Sequence, residues 1–193
     1  MTARILVILG HPQQESFCGA IATAYATGAR ETGSEVREIL LGNLNFDPMR
    51  RGGYSTEQPL EQDLVSAQES ILWAQHIVFV YPLWWGAMPA LLKGFIDRVF
   101  VPDFAFRYRK GSKLWERLLK GRSAHLFVTM DSPPWYYRWI CRMPGHKQMK
   151  QAILGFSGVK PVGITNFGSV RNSTLAQREK WLAQARTAGA KGS

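Results

Sequence analysis

Residues 77–98 read IVFVYPLWWGAMPALLKGFIDR. The segment begins with β-branched and aromatic residues, is interrupted at Pro82, and continues through a pair of tryptophans to Gly86. Beyond Pro89, apolar residues recur with helical spacing, so the pattern predicts a buried strand, a turn and an amphipathic helix. Because open α/β sheets bind ligands beyond the carboxyl ends of their strands, we predict that residues 82–86 form a wall for a flat ligand.

The rest of the chain alternates between the same kinds of pattern. Strands are predicted at residues 4–10, 34–41, 76–81, 123–129 and 159–167. Helices are predicted at residues 16–32, 60–74, 90–100, 147–156 and 174–188, with fraying at residues 189–193 and long irregular loops at residues 42–59 and 101–122. Since no internal repeat or linker interrupts this pattern, the sequence predicts one domain over residues 1–193. Its predicted fold class is α/β, a doubly wound five-stranded parallel sheet in the order 2-1-3-4-5 with helices on both faces.

The chain carries a formal net charge of +10, from 24 Lys and Arg against 14 Asp and Glu. Such a surface attracts phosphate-bearing cofactors or nucleic acid, or is simply a solvated basic face. The basic residues are concentrated at residues 98–122, but no helix-turn-helix, zinc-finger or RNP signature is present, so we expect no nucleic-acid partner. Cys18 and Cys141 lack the spacing of a metal site or a disulfide framework, so no metal is predicted.

Residues 70–92 contain no Asp, Glu, Lys or Arg, which raises the question of a membrane span. The stretch contains Pro82, Gly86 and Pro89 and divides into separate elements, so we expect no stable membrane insertion. The apolar run near the N-terminus is too short for a signal peptide, and a cytoplasmic protein is therefore expected.

The loop after the first predicted strand has the features of an anion site. Ser16 is a good N-cap for the following helix, and the amides of Phe17 and Cys18 lie at the positive end of its dipole. His11 offers another donor. The loop is neither a Walker A sequence nor G-x-G-x-x-G, and ordinary helix capping is the alternative interpretation.

Two further loops follow the third and fourth predicted strands. In the first of them, Trp84 and Trp85 offer stacking surface beside Gly86, unless both indoles belong to the core. The second has polar residues at 129–132, followed at residues 135–139 by a dense aromatic group that packs under the domain, lines a pocket or forms a dimer surface.

Residues 81–99 resemble the signature of the flavodoxin-like NAD(P)H:quinone oxidoreductase family, which reads close to P-L-x-W-x-x-x-P-A-x-L-K-G-x-x-D-R-V. The first strand with His11, Ser16 and Phe17 resembles the phosphate loop of the same family, and Cys18 stands where some members carry Asn. The resemblance implies a homodimeric flavoprotein that takes hydride from NADH or NADPH and reduces a quinone-like or other small electron acceptor. It implies FMN or FAD as cofactor, and the short chain favours FMN.

The resemblance also assigns residues to the flavin. His11, Ser16, Phe17 and Cys18 would hold the phosphate, and the isoalloxazine and ribityl side would contact Pro82, Leu83, Trp84, Trp85 and Gly86. The other edge would be closed by Thr129, Met130, Asp131 and Ser132, and the residues assisting hydride transfer would be Tyr137 and His146. Where family members commonly read T-T-G-G, this chain has Asp-Ser-Pro-Pro at residues 131–134. Because proline has no amide to donate, we expect an acceptor site of different shape here.

Two other functions remain open from the sequence. One is an ancillary, regulatory flavoprotein subunit of a membrane transporter, a role that can coexist with reductase activity. The other is a flavodoxin-type electron carrier, but such carriers are typically acidic, and the net charge of +10 disfavours this hypothesis.

Overall fold

The computed structural model describes residues 3–53, 58–109, 111–112 and 114–192. Within these ranges the strands are β1 (Arg4–Leu9), β2 (Glu35–Leu40), β3 (His76–Pro82), β4 (Phe106–Tyr108), β5 (Trp115–Arg117), β6 (Ser123–Thr129) and β7 (Val162–Phe167). The helices are α1 (Phe17–Glu31), α2 (Gln62–Trp73), α3 (Ala90–Val99), α4 (Pro134–Trp139), α5 (Pro144–Lys147) and α6 (Leu175–Lys191), together with a 3₁₀ turn at Leu41–Asn43 and a π-helix at Gln148–Gly155.

Five parallel strands form the main sheet in the order β2-β1-β3-β6-β7. The fourth and fifth predicted strands are β6 and β7, so the predicted order is confirmed. The central strand β3 is buried along its whole length, and β1 is buried from Ile5 to Leu9. This burial on both faces explains why both strands read as continuous apolar runs.

Helices cover both faces of the sheet, as predicted. On one face the core includes residues of α1 and α6, and on the other it includes residues of α2, α3 and the π-helix. Helices α1 and α6 approach each other at backbone distance, and this approach requires glycine at two positions. A Cβ on Gly189 would overlap the carbonyl oxygen of Tyr25, and a Cβ on Gly28 would overlap that of Arg186.

Ser16 caps α1 as the sequence predicts. Its Oγ accepts a hydrogen bond from the N–H of Gly19 at 3.1 Å. Gly33 follows the end of the helix with a φ of 85°, a conformation that glycine adopts readily. The predicted first helix is therefore correct within a residue at each end.

The loop at residues 42–59 is fastened to the body of the protein by Arg98, apart from residues 54–57, which lie outside the described ranges. The Arg98 guanidinium is 1% exposed and donates to the carbonyl oxygens of Asp47 at 2.6 Å and Pro59 at 2.8 Å. It also pairs with the Glu61 carboxylate at 2.8 Å. A buried arginine with this many acceptors stabilises an otherwise irregular segment.

Residues 101–122 were predicted to be irregular, and this prediction is wrong in part. Strands β4 and β5 form an antiparallel hairpin in which Tyr108 lies opposite Trp115. The hairpin packs on the π-helix side, because the Trp115 ring stacks on Phe156 with centroids 4.4 Å apart. Strands this short form because their aromatic side chains pack against residues distant in sequence, and the local sequence does not reveal such contacts.

Other differences concern helices. The aromatic segment after β6 forms α4 rather than a loop, and α6 continues to Lys191, so the predicted fraying at residues 189–191 is wrong. The predicted helix at residues 147–156 already begins at Pro144 and becomes the π-helix. Strand β7 begins at Val162 because Pro161 lacks the N–H needed for sheet pairing. No helix in the described part of the chain is long and apolar enough to cross a bilayer.

Candidate active site

The loops after β1, β3 and β6 meet at the carboxyl edge of the sheet. These strands are neighbours, and the N–H of Leu83 donates to the carbonyl oxygen of Thr129 at 2.7 Å. The rings of His11 and Trp84 pack edge to face, with centroids 5.7 Å apart. The structure therefore brings together members of all three predicted loops.

The first loop presents an anion site at the start of α1. Ser16 donates from Oγ to the carbonyl oxygen of Gln13 at 2.8 Å, which fixes the turn that enters the helix. The N–H groups of Phe17 and Cys18 begin the helix and have no carbonyl one turn earlier to bind. Beside them lies an open groove of about 1240 Å³. Free amides at the positive end of a helix dipole are suited to a phosphate.

His11 is held against the backbone of this loop. Its Nδ1 lies 2.9 Å from both the amide nitrogen and the carbonyl oxygen of Gln13. The ring is thereby fixed beside Trp84 in either tautomer.

Cys18 faces away from the groove. Its side chain is 3% exposed, and Sγ lies 3.2 Å from Oγ1 of Thr129. Burial raises the pKa of Cys18 to about 12, although the hydrogen bond with Thr129 acts in the opposite direction. The thiol is therefore neutral and packs in the core, so that only the backbone N–H of this residue is placed to bind a phosphate.

The second loop is a tight turn closed by reciprocal hydrogen bonds. The N–H of Trp84 donates to the carbonyl oxygen of Ala87 at 2.9 Å. The N–H of Ala87 in turn donates to the carbonyl oxygen of Trp84 at 3.0 Å. Trp85 and Gly86 have φ values of 50° and 76°, as in a type I′ turn. A non-glycine residue in this conformation costs about 1–2 kcal/mol.

The tryptophans of the turn are not part of the core. Trp84 is 45% exposed and Trp85 is fully exposed. The backbone N–H groups of Trp85 and Gly86 form no hydrogen bond within the described residues. An exposed indole on a strained turn with free donors is suited to holding a planar ligand.

Tyr137 fastens the turn from behind. Its hydroxyl donates to the carbonyl oxygen of Gly86 at 3.0 Å and accepts from the N–H of Gly145 at 3.0 Å. The same N–H lies 3.2 Å from the Gly86 carbonyl oxygen. Burial raises the pKa of Tyr137, so the hydroxyl stays protonated and remains a donor.

His146 lies next to Tyr137, with ring centroids 5.0 Å apart. Its Nε2 is 2.8 Å from Oδ1 of Asn166, an acceptor, which places the ring proton on Nε2. Nδ1 is buried and has no partner among the described residues. Burial lowers the pKa of His146, although the hydrogen bond to Asn166 opposes this, and the imidazole is therefore neutral near pH 7.

The third loop leaves two backbone donors free. Met130 is buried, and its N–H donates to the carbonyl oxygen of Phe167 at 2.8 Å. The N–H groups of Asp131 and Ser132 have no partner in the part of the chain that the structure describes. Both amides therefore remain available as donors at this edge of the sheet.

The prolines of this loop have a structural role. Pro133 precedes α4, and its carbonyl oxygen accepts from the N–H groups of Tyr136 and Tyr137 at 3.0 and 3.2 Å. Pro134 occupies the first helical position, where its missing N–H costs nothing. The departure at residues 131–134 thus starts the helix that carries Tyr137 to the Gly86 carbonyl.

Sequence reasoning missed Arg178, Asn43 and Asn166. Arg178 and Asn43 line the groove beside α1, and the Arg178 guanidinium lies 5.8 Å from the centre of the Phe17 ring. These residues come from distant parts of the chain and carry no motif of their own. Within the described ranges, no cluster of His, Cys, Asp or Glu is suited to a metal.

Comparison with known proteins agrees with this architecture. A family model described as a flavodoxin-like fold matches residues 3–189. An uncharacterized NAD(P)H oxidoreductase from Haemophilus influenzae is 34% identical over 171 residues, covering 86% of this chain and 83% of that protein. The NAD(P)H dehydrogenase (quinone) 1 of Rattus norvegicus is 30% identical over 125 residues, covering 54% of this chain and 46% of that protein.

A solved structure shows the same likeness over nearly the whole chain. Smu.1420 from Streptococcus mutans UA159 superposes with a TM-score of 0.81 at 30% identity, covering 97% of this chain and 98% of that chain. The matched region spans less than two thirds of the length of several curated relatives, the Rattus norvegicus protein among them. The parallel sheet order, the loops at its carboxyl edge and these matches agree: the chain belongs to the flavodoxin-2 family, which has the flavodoxin-like fold and includes the NAD(P)H:quinone oxidoreductases.

Proposed function

We propose that the protein is a flavin-dependent NAD(P)H oxidoreductase that passes two electrons to a quinone-like small acceptor. The observation that carries this proposal is the convergence of the α1 anion site, the exposed Trp84-Trp85 turn and the free amides of Asp131 and Ser132 at one edge of the sheet. The similarity to the Haemophilus influenzae NAD(P)H oxidoreductase over most of the chain supports it.

The donor set fits a flavin. The phosphate would be held by Ser16 and the N–H groups of Phe17 and Cys18, where the helix dipole favours negative charge. The ring would lie against residues 82–86, with the amides of Asp131 and Ser132 at its other edge. When bound, a flavin accepts hydride from a nicotinamide and returns two electrons to an acceptor.

Tyr137 and His146 were predicted to assist hydride transfer. We assign Tyr137 the positioning of the Trp84-Trp85 turn, since its hydroxyl is bonded to backbone groups on both sides. The imidazole of His146 is neutral and carries its single ring proton on Nε2, so it would add no positive charge behind this turn. A catalytic role for either residue stays a prediction.

We propose FMN rather than FAD as the cofactor. Binding the adenine of FAD would need an added loop surface, and residues 102–112 are the segment of suitable length for it. Part of this segment is engaged in the β4–β5 hairpin, which packs on Phe156. Releasing the bound cofactor by heat and separating it by chromatography distinguishes the two, and recovery of FAD would contradict the proposal.

We also propose a cytoplasmic homodimer in which residues 1–193 act as one domain. The cytoplasm supplies NAD(P)H, and Cys18 and Cys141 are both free. A second copy would cover the site that Trp85 leaves open on a single chain. Light scattering tests the dimer, and a single cooperative unfolding transition tests the one-domain assignment.

The enzymatic assignment is tested by anaerobic stopped-flow absorbance. We expect NADH or NADPH to bleach the yellow flavin, and an added soluble quinone to restore the colour with ping-pong kinetics. Trp85→Ala should weaken flavin binding, whereas Leu175→Ala, an exposed residue on α6, should not. If neither nucleotide reduces the bound flavin, the oxidoreductase assignment is wrong.

A further inference from the structure

The outer face of α4 exposes an aromatic group that the proposed chemistry does not use. Trp135 and Trp139 are 62% and 70% exposed, and they lie one helical turn apart. Tyr136 and Ile140, also one turn apart, are 43% and 61% exposed. Side chains this large and apolar rarely protrude together from a surface without a partner.

The stretch of chain that contains α4 is strongly basic. Residues 132–178 contain no Asp or Glu, whereas they contain Arg138, Arg142, Lys147, Lys150, Lys160, Arg171 and Arg178. Arg138 and Arg142 are exposed and form no ion pair with any described residue. The Arg138 guanidinium lies 5.2 Å from the centre of the Trp139 ring, so cation and aromatic group form one surface. We call Trp135, Tyr136, Arg138, Trp139, Ile140 and Arg142 the α4 face.

The charge of the α4 face limits what can cover it. In a two-fold dimer that pairs residues 132–178 of one copy with the same segment of the other, neither copy would offer a carboxylate to Arg138 or Arg142. The partner should therefore be anionic. Tryptophan and tyrosine prefer the headgroup level of a bilayer, and arginine pairs with lipid phosphates.

We propose that the α4 face docks the protein onto an anionic lipid bilayer. Binding is peripheral, because α4 runs only from Pro134 to Trp139 and no described helix can span a membrane. The indoles and Ile140 would enter the interface, while Arg138 and Arg142 would remain with the lipid phosphates.

Docking would bring the candidate active site to the membrane. Tyr137 lies on the inner side of α4, and its hydroxyl is bonded to the Gly86 carbonyl oxygen beside Trp85. A lipid-dissolved quinone could then reach the site without crossing bulk water. This last step rests on the proposed function, whereas the docking does not.

The docking is tested by co-sedimentation of the flavin-loaded protein with vesicles. Vesicles of phosphatidylglycerol mixed with phosphatidylcholine should retain the protein at low salt and release it at high salt, and pure phosphatidylcholine should retain little. Arg138→Gln with Arg142→Gln should weaken binding about 30-fold, at about 1 kcal/mol per cation. Trp135→Ser with Trp139→Ser should also weaken it.

Matched controls separate docking from general attraction of a basic protein. Lys180→Gln with Lys191→Gln removes the same charge from α6, and Leu175→Ser removes an exposed apolar side chain. These variants should bind like the parent. Circular dichroism checks folding, and the arginine pair keeps the test valid if the tryptophan pair does not fold.

Three outcomes would overturn the docking. They are no retention by anionic vesicles, equal weakening in the α6 controls, and a dimer in solution that the Trp135→Ser, Trp139→Ser variant loses. Reduction of a soluble quinone is measured separately. A protein that reduces it without binding vesicles overturns the docking alone, and one that binds vesicles without reducing it overturns the proposed function alone.

Discussion

The Tyr137 hydroxyl donates a 3.0 Å hydrogen bond to the carbonyl oxygen of Gly86, in the strained turn that carries Trp85. Helix α4 and the β3 loop are thus joined by one side chain. Tyr137→Phe removes this donor. The hydrogen bond from the Gly145 N–H to the Gly86 carbonyl oxygen, at 3.2 Å, remains. We expect the free energy of unfolding to fall by about 1 kcal/mol and flavin binding to weaken.

The control for this change is Tyr136→Phe, because the neighbouring tyrosine is exposed. Urea denaturation and fluorescence titration with FMN measure the two effects. Equal behaviour of the two variants would show that the Tyr137 hydroxyl does not position the turn.

Trp85→Gly should separate ligand binding from stability. Glycine adopts the left-handed conformation of this turn without strain, which stabilises the folded state by about 1–2 kcal/mol. Glycine also makes the unfolded chain more flexible, which lowers the free energy of unfolding by about 0.5–1 kcal/mol and partly offsets this gain. Because the indole is fully exposed, the free energy of unfolding of the flavin-free protein should change by less than about 1 kcal/mol. The affinity for FMN should fall, as measured by fluorescence titration. Leu114→Gly serves as an exposed control, and an unchanged affinity in Trp85→Gly would remove the indole from the site.

The two cysteines should differ in reactivity. Cys141 is exposed, whereas burial raises the pKa of Cys18 to about 12. At neutral pH a thiol reagent should modify Cys141 rapidly, and Cys18 only after denaturation. Cys18→Ala should retain FMN affinity, since its side chain faces Thr129 rather than the groove. Loss of FMN affinity in that variant would show that the thiol, and not only the amide, contributes to the site.

Acid should destabilise the protein through His76. Burial, with a smaller contribution from His125, lowers the pKa of His76 to about 4 from its ordinary value of 6.5. The unfolded chain therefore binds the proton first, and the contribution of His76 to the free energy of unfolding falls by about 3 kcal/mol in total as the pH decreases from about 6.5 to about 4. Urea denaturation at several pH values measures this slope.

His76→Asn removes the titrating group and can keep the contact to Oγ of Ser123, which lies 2.7 Å from Nδ1. This variant should have a flatter pH profile than the parent. His125 and His146, whose pKa values are also lowered by burial, supply the slope that remains. An unchanged profile would assign the acid sensitivity to those two histidines.

The sheet could be predicted because its determinants are local. Apolar runs, the Ser16 cap and Gly33 each mark an element within a few residues, and the carboxyl edges of adjacent strands then place the loops. The exposure of Trp85 could not be read from the sequence. It follows from the positive φ values of the turn, which depend on its closure by Ala87.

Helix α4 and the β4–β5 hairpin were missed for the opposite reason. A Pro-Pro pair followed by aromatic residues has the local signals of a loop, and α4 forms because Tyr137 is buried and bonded to Gly86. The hairpin depends on Trp115 stacking against Phe156, far along the chain. Residues such as Arg178 reach the site only through the tertiary fold.

Arg98 sets an order of events in folding. Its partners Asp47, Pro59 and Glu61 precede it by 51, 39 and 37 residues. The anchoring of the segment around Asp47 and Pro59 is complete once α3 has packed against the sheet, because the buried Arg98 guanidinium reaches the segment from that helix. Long-range contacts of this kind form late, so partly folded chains should remain open to proteolysis near this segment after the central strands have become protected.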